Sequence, residues 1–503
     1  MPSSKFDTLE KYRYNTGFGS YQESEAIENA LPIAQNTPQR PAFGLYTEKI
    51  SGSAFQAVRP ENQQTWMYRI LPTVAHLPFE PEPEPPRQSD HATSNGVSNG
   101  IGTAKPNGCS SFQNFNDYLD LAYIPTQIRW DPFDIDTTCD WVHSMRLLCA
   151  AGDVSTKSGM GYFVFSAGRS MDDHTAFSSS DGELLVIPQT GVLDIKTELG
   201  HLLVRPLEIA VIPRGIKYHV FLPSGPVRGY ALELHQGVFT LPNLGPLGSF
   251  GCANARDFQI PVAAYDEPPV ATNSDETAEE SYHIITKYNG RLFGASQDHS
   301  PFDVVAWHGS YFPYKYDLGR FMTVGSVSYD HPDPSIFTLL ASSEGVAEIA
   351  IFPPRWLVME NTFRPPWYHR NTMAEFMGLI QGEYDARVDG GFRPGGASLH
   401  NVMVGHGPDS ATHARASEAH LAPQKVGEGS MAFVIESNML LGISSWAWSQ
   451  CGKRQTNYNA QTWLGLRSHF KKPKGVRVNS PFLDPPRQKE MNGQGTTKTG
   501  GDD

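Results

Sequence analysis

Between residues 161 and 234 the chain repeats one kind of unit. "GYFVF", "ELLVIP", "VLDIKTE", "HLLVRP", "EIAVIP", "YHVFL" and "YALEL" follow one another with short turn-like gaps. Several alternate polar with apolar residues, as half-buried strands do. A second set begins at residue 321 with "FMTVGSVSYD", "VAEIAIFPP", "EFMGLIQGEYDARV", "MAFVIES" and "LLGIS". Evenly spaced strands this short restrict the chain to antiparallel sandwiches or jelly-roll barrels. The 46 glycines and 39 prolines suit the many turns such folds need. Helical patterns are few: "NFNDYLDLAYI" (114–124) and "DSATHARASEAH" (409–420). The predicted fold is mainly β, with two cupin-like jelly-roll domains, the second carrying a metal site.

A length of 503 residues exceeds one ordinary core. The expected division is an N-terminal β domain over 1–318, holding a metal-free cupin-like barrel at about 160–240, and a C-terminal cupin-like domain over 319–483. Residues 80–110, "EPEPEPPRQSDHATSNGVSNGIGTAKPNGC", hold almost no large apolar side chains. They cannot bury enough surface to offset their ordering entropy, which predicts a flexible insertion. The tail from 484 to 503 reads the same way, and "ATNSDETAEES" (271–281) reads as an exposed acidic loop. The two strand sets echo each other. Pro213-Arg-Gly215-Ile-Lys-Tyr-His219 and Pro394-Gly-Gly396-Ala-Ser-Leu-His400 both read P-x-G-x-x-x-H, a turn feeding a strand that carries a histidine.

Net charge is −13 and no long Lys/Arg run occurs, which argues against nucleic acid or an anionic membrane as partner. Five cysteines without C-x-x-C pairs predict neither a disulfide framework nor a structural zinc knuckle, and they suit a reducing compartment. The first twenty residues lack a signal-peptide core, and no uncharged apolar run approaches ~18 residues. The expected setting is cytoplasmic.

Within "FRPPWYHRNTMAEF" (363–376), His369 and Glu375 stand six positions apart. In one straight strand they would lie roughly 20 Å apart. They can share an ion only if the polar "HRNTMA" reverses the chain before the apolar strand that opens at Glu375. An unpaired carboxylate at that position would be costly. Two imidazoles and one carboxylate on one face of Fe(II) leave open positions for oxygen and substrate. The spacing matches the first cupin motif, with Gly382 as its glycine and Asn371 where a second histidine would stand. A further ligand must then come from elsewhere, and His400 and His406 are the candidates. The histidine pair His413 and His420 is expected to be solvated and unrelated.

Longer stretches are similar to one family. "FRPPWYHRNTMAEFMGLIQGEYDA", "GGFRPGGASLHNVMVGHGPD", "SYDHPDPSIFTLL", "SPFDVVAWHGSYFPYKYDL" and "LPNLGPLGSFGCANARDF" resemble the homogentisate 1,2-dioxygenases, and the likeness runs from about residue 12 to 480. That resemblance implies ferrous iron, Fe(2+), held by His369, Glu375 and His406. It also implies His331 as acid/base histidine, Tyr384 as a substrate contact, and His406 and His400 lining the substrate pocket. The implied substrates are homogentisate and O2, the implied product is 4-maleylacetoacetate, and the implied assembly is a homohexamer built as a dimer of trimers. The first strand set lacks His/Glu ligands at its cupin-like positions, which predicts a barrel kept for structure and assembly.

Overall fold

Strand pairing dominates the computed structural model, which describes residues 10–33, 37–59, 61–83, 120–244, 251–268, 281–321, 337–384 and 391–476. Each of the seven runs predicted between 161 and 234 contributes a strand, and "EIAIF" fills Glu348–Phe352, "AEFMGLIQ" Ala374–Gln381 and "MAFVIES" Met431–Ser437. They build three large sheets. One has ten strands, centred on Glu183–Thr190, Val227–Leu234, Ser158–Ala167 and Met145–Asp153. A second, of seven strands, includes Leu193–Thr197, Tyr218–Phe221, Thr175–Ser179 and Tyr282–Tyr288. Its pairing of Thr175–Ser179 with Tyr282–Tyr288 is parallel. The third sheet, also of seven strands, carries the candidate site. Its order is Phe239–Thr240, Phe337–Ser342, Glu348–Phe352, Met431–Ser437, Ala374–Gln381, Ala397–His400 and Ile128–Trp130.

Strands far apart in sequence share these sheets. Ile128–Trp130 and Phe239–Thr240 flank the site sheet, while Gly442–Ser444 pairs with Met145–Asp153 in the ten-stranded one. The main buried cluster runs without a break from Met67 to Cys451 and takes residues from both strand sets. Residues up to Gly465 accordingly form one compact unit; the described part of the unit that follows, 466–476, is exposed.

The two P-x-G-x-x-x-H segments both feed strands, but through turns shifted by one residue. In the first, the Ile216 N–H donates to Pro213 O; in the second, the Gly396 N–H donates to Arg393 O. The second turn thus has Pro394 and then Gly395, at φ +89°, in its central positions, the residue pair a type II turn favours. A Cβ on Gly395 would also stand 2.5 Å from the Arg228 guanidinium.

Some expectations meet a different outcome. The described end of the segment 114–124 forms a short strand, Leu121–Ala122, rather than a helix, because it pairs with Gly442–Ser444 at the sheet edge. The helix at 409–420 is present as Ser410–Ser417, capped by Asp409, which accepts the Thr412 N–H at 2.7 Å. His413 on that helix is half-buried, packing against Phe363 and stacking on Tyr368, while His420 is exposed. Cys149, Cys252 and Cys451 are free thiols and Cys139 is disulfide-bonded, where the sparse spacing predicted no disulfide framework. Residues 84–110, 271–280 and 484–503 lie outside the described residues.

The first strand set buries an ionic network, and His235 Nε2 lies 3.4 Å from Glu233 within it. The Lys287 ammonium, fully buried, donates to Glu233 and lies 3.4 Å from Asp181. Ser179 donates to Glu233 at 2.6 Å, and the Asn289 and Gly290 N–H groups donate to Asp181.

Candidate metal centre

Alternation sorts the Glu375 strand into two faces. Phe376 and Ile380 join Ile435, Phe433, Ile349 and Ile351 in the main core. Met377 and Leu379 turn the other way, into a small separate cluster with Val434, Ala432, Ala350, Phe352, Tyr384 and Phe392. Glu375 continues that second face. Its cross-strand neighbour on one side is His400, on the other Glu436, and beyond Glu436 stands Glu348. Directly opposed residues share a face, so three carboxylates line up on one row. Like charges so placed repel, and a cation or imidazoles must offset them.

Two imidazoles do so at Glu375. The strand begins at Ala374, and the preceding bend at 372–373 reverses the chain. His369 then pairs with His406 through two backbone hydrogen bonds, N–H to O at 2.9 and 3.1 Å. Each ring is fixed in the same sense. Nδ1 of His369 lies 2.8 Å from Trp367 O, and Nδ1 of His406 lies 2.9 Å from Val404 O. An Nδ1–H donated to a carbonyl presents the Nε2 lone pair outward, the arrangement of metal-bound histidines. Both Nε2 atoms face Glu375, His406 at 2.8 Å from Oε2 and His369 at 3.3 Å from Oε1. Asn371, in the place of a second motif histidine, donates to Oε1 at 2.8 Å.

Charge follows geometry. Burial by itself raises the Glu375 pKa, but contact with the two imidazoles outweighs it and lowers the value to about 2. The His369 pKa is raised, chiefly by Glu375 and against burial, with a smaller push from Glu436. One ligand atom from each of His369, Glu375 and His406 can be chosen so that all three lie within 4.8 Å of one another. Glu375 and His406 are buried, while the side chain of His369 is 25% exposed, so the group opens on one side. Two oriented imidazoles and one ionised carboxylate, converging and open to one side, fit a divalent first-row metal.

The chain matches two sequence profiles, "Homogentisate 1,2-dioxygenase N-terminal" over residues 13–99 and 102–318, and "Homogentisate 1,2-dioxygenase C-terminal" over 319–470. The chain belongs to the homogentisate 1,2-dioxygenase family. The family's enzyme from Emericella nidulans is 53% identical over 479 residues, covering 94% of this chain and 99% of that one. The Drosophila melanogaster homogentisate 1,2-dioxygenase is 44% identical, covering 92% and 99%. That of Caenorhabditis elegans is 45% identical, covering 94% and 100%. Among solved structures, a cupin 2 conserved barrel domain protein from Leptotrichia buccalis aligns with 55% of this chain and 82% of its own at 10% identity. The TM-score of that alignment is 0.22.

The remaining residues singled out from the sequence fall as follows. Tyr384 sits in the small cluster on the Glu375 face, edge-on to Phe352 at 5.3 Å. His400 is fully buried and stacks on His406. His331 lies outside the described residues. Glu436 and Tyr458 were not anticipated. Glu436 reaches the site only by cross-strand pairing with Glu375, and Tyr458 only through His400, so neither leaves a local signal in the sequence.

Proposed function

We propose that this chain is an Fe(II)-dependent ring-cleaving dioxygenase that converts homogentisate and O2 to 4-maleylacetoacetate in the breakdown of tyrosine and phenylalanine. The observation that carries the reading is the convergence of His369, Glu375 and His406 in a chain of this family. Ferrous iron held there would supply the activation of O2. Glu375 contributes one negative charge against the two of the ion, so the site still attracts an anionic phenolate. The Nδ1 hydrogen bonds orient both imidazoles so that Nε2 is the atom offered to the metal. Phe352, Met377 and Phe392 offer an apolar wall for an aromatic ring, and the Tyr384 hydroxyl is the hydrogen-bond donor within it. His331 takes the role of the group that accepts and returns a ring-hydroxyl proton, since an imidazole titrates near neutrality. Residues 319–483 form the metal-binding domain in this reading, and the working form is a cytoplasmic homohexamer, a dimer of trimers.

The test is anaerobic reconstitution with Fe(II), followed by oxygen uptake with homogentisate and, in parallel, gentisate. Uptake with homogentisate alone is expected. A protein that retains zinc and consumes no oxygen would overturn the reading. His331→Ala is expected to keep its iron and lose most turnover; normal turnover would remove His331 from the acid/base role.

A further inference from the structure

Behind the His406 ring runs a column of polar side chains that metal binding does not use. The buried His400 ring lies face to face with His406, 4.2 Å between centroids and 11° between planes. Its Nε2 shares a hydrogen bond with the Tyr458 hydroxyl at 3.0 Å. Tyr458 is itself buried, at the start of the short helix Tyr458–Trp463, and the Arg129 guanidinium lies 4.2 Å from its ring centroid. Arg129 in turn donates to Gln455 at 2.5 Å. The far side of Tyr458 borders a cavity of about 320 Å³ shared with Gln127, Arg454 and Asn457.

We propose that Tyr458 is a positioning residue: acting through His400, it fixes the plane of the His406 imidazole toward the metal. The inference rests on His406 being a ligand. Nδ1 of His406 meets Val404 O and Nε2 faces Glu375, which leaves rotation of the ring about the line through those two contacts to be fixed. A parallel ring at stacking distance blocks that rotation only if it cannot tilt, and the hydroxyl of Tyr458 holds it. An aliphatic or aromatic side chain at position 458 could fill the same volume, yet only a hydroxyl sets the orientation of His400. Outer partners of this kind change metal affinity or activity by about 10- to 100-fold.

The experiment uses the full chain loaded anaerobically with Fe(II), with Tyr458→Phe, His400→Phe and the double variant. Three quantities are read: the rate at which a ferrous chelator strips the metal, the electron paramagnetic resonance spectrum of the nitric oxide adduct, and kcat and KM separately. Tyr458→Phe is expected to release iron about 10-fold faster. Its spectrum should be altered and its kcat lowered, with KM held. His400→Phe keeps a stacked ring without the hydrogen bond and is expected to reproduce this. The double variant should be no worse than either single one, since the two act on one path. Parental release and an unchanged spectrum in Tyr458→Phe would overturn the proposal, as would effects that add in the double variant. If Tyr458→Phe does not fold, His400→Phe alone decides in the same way. A parent chain that binds no Fe(II), or a His406→Ala variant that still binds it, overturns the ligand reading itself and the positioning role with it.

Discussion

At the scale of single residues, the site follows from where each ring nitrogen points. His369 and His406 each spend Nδ1 on a carbonyl two residues upstream and turn Nε2 to Glu375. Replacing either imidazole by alanine leaves two protein donors, too few to hold a divalent ion. His369→Ala and His406→Ala are therefore expected to lose iron and oxygen uptake together, checked by metal analysis of the same preparations. A second residue-scale prediction concerns Glu183. Burial pushes its pKa up to about 7 from 4.5, against the Phe239 N–H that donates to it and the nearby Arg214 charge. The folded chain keeps that proton up to about pH 7, whereas the unfolded chain releases it near pH 4.5. Stability from this group is thus full below pH 4.5, falls as pH rises toward 7, and stays low above that. Glu183→Gln removes the buried charge and keeps an acceptor for Phe239. Its Tm is expected to exceed the parent's at pH 8 and to match it at pH 4, as thermal unfolding at the two values will read. The sequence displayed part of this scale clearly. The six-residue spacing of His369 and Glu375 demanded a reversal, and the chain makes one. Choosing His406 over His400 took the family resemblance, because both sit on the same stretch at similar distance. Only the fold tells that His400 is engaged by Tyr458 from behind.

Among the elements, strand alternation was the most legible feature, since it depends on neighbours in sequence. Register was not. Nothing local in "MAFVIES" states that Glu436 will stand opposite Glu375, or that Glu348 will stand opposite Glu436. The same limit hid the helix at 458–463, too short for a helical repeat to show. One consequence can be tested in the seven-stranded sheet that carries Tyr282–Tyr288. Lys287 is the cation shared by Glu233 and Asp181, all of them buried. Removing one partner of a buried ionic network leaves charge uncompensated and typically costs about 3–5 kcal/mol. Lys287→Met is expected to lower stability by that order, measured by urea unfolding, while the iron content of the folded fraction is unchanged.

For the molecule as a whole, strands of the two sets share sheets and one buried core. The Tyr230 hydroxyl donates to Leu379 O and Gly396 O, and Gln189 donates to Ile380 O, so the first strand set props the Glu375 strand from behind. With one core running through both sets, a fragment of residues 319–470 alone is expected to lack a cooperative thermal transition, and the full chain to show a single one up to Gly465. Circular dichroism of the fragment checks this, and a sharp transition there would argue for an independent second barrel. The paired main-chain contact between His369 and His406 has a kinetic corollary. Each of those amides is locked by the other's carbonyl, so neither segment can swing open alone. In deuterium exchange the two amide protons should be replaced in a single opening event, at one shared rate, and whatever slows one will slow the other.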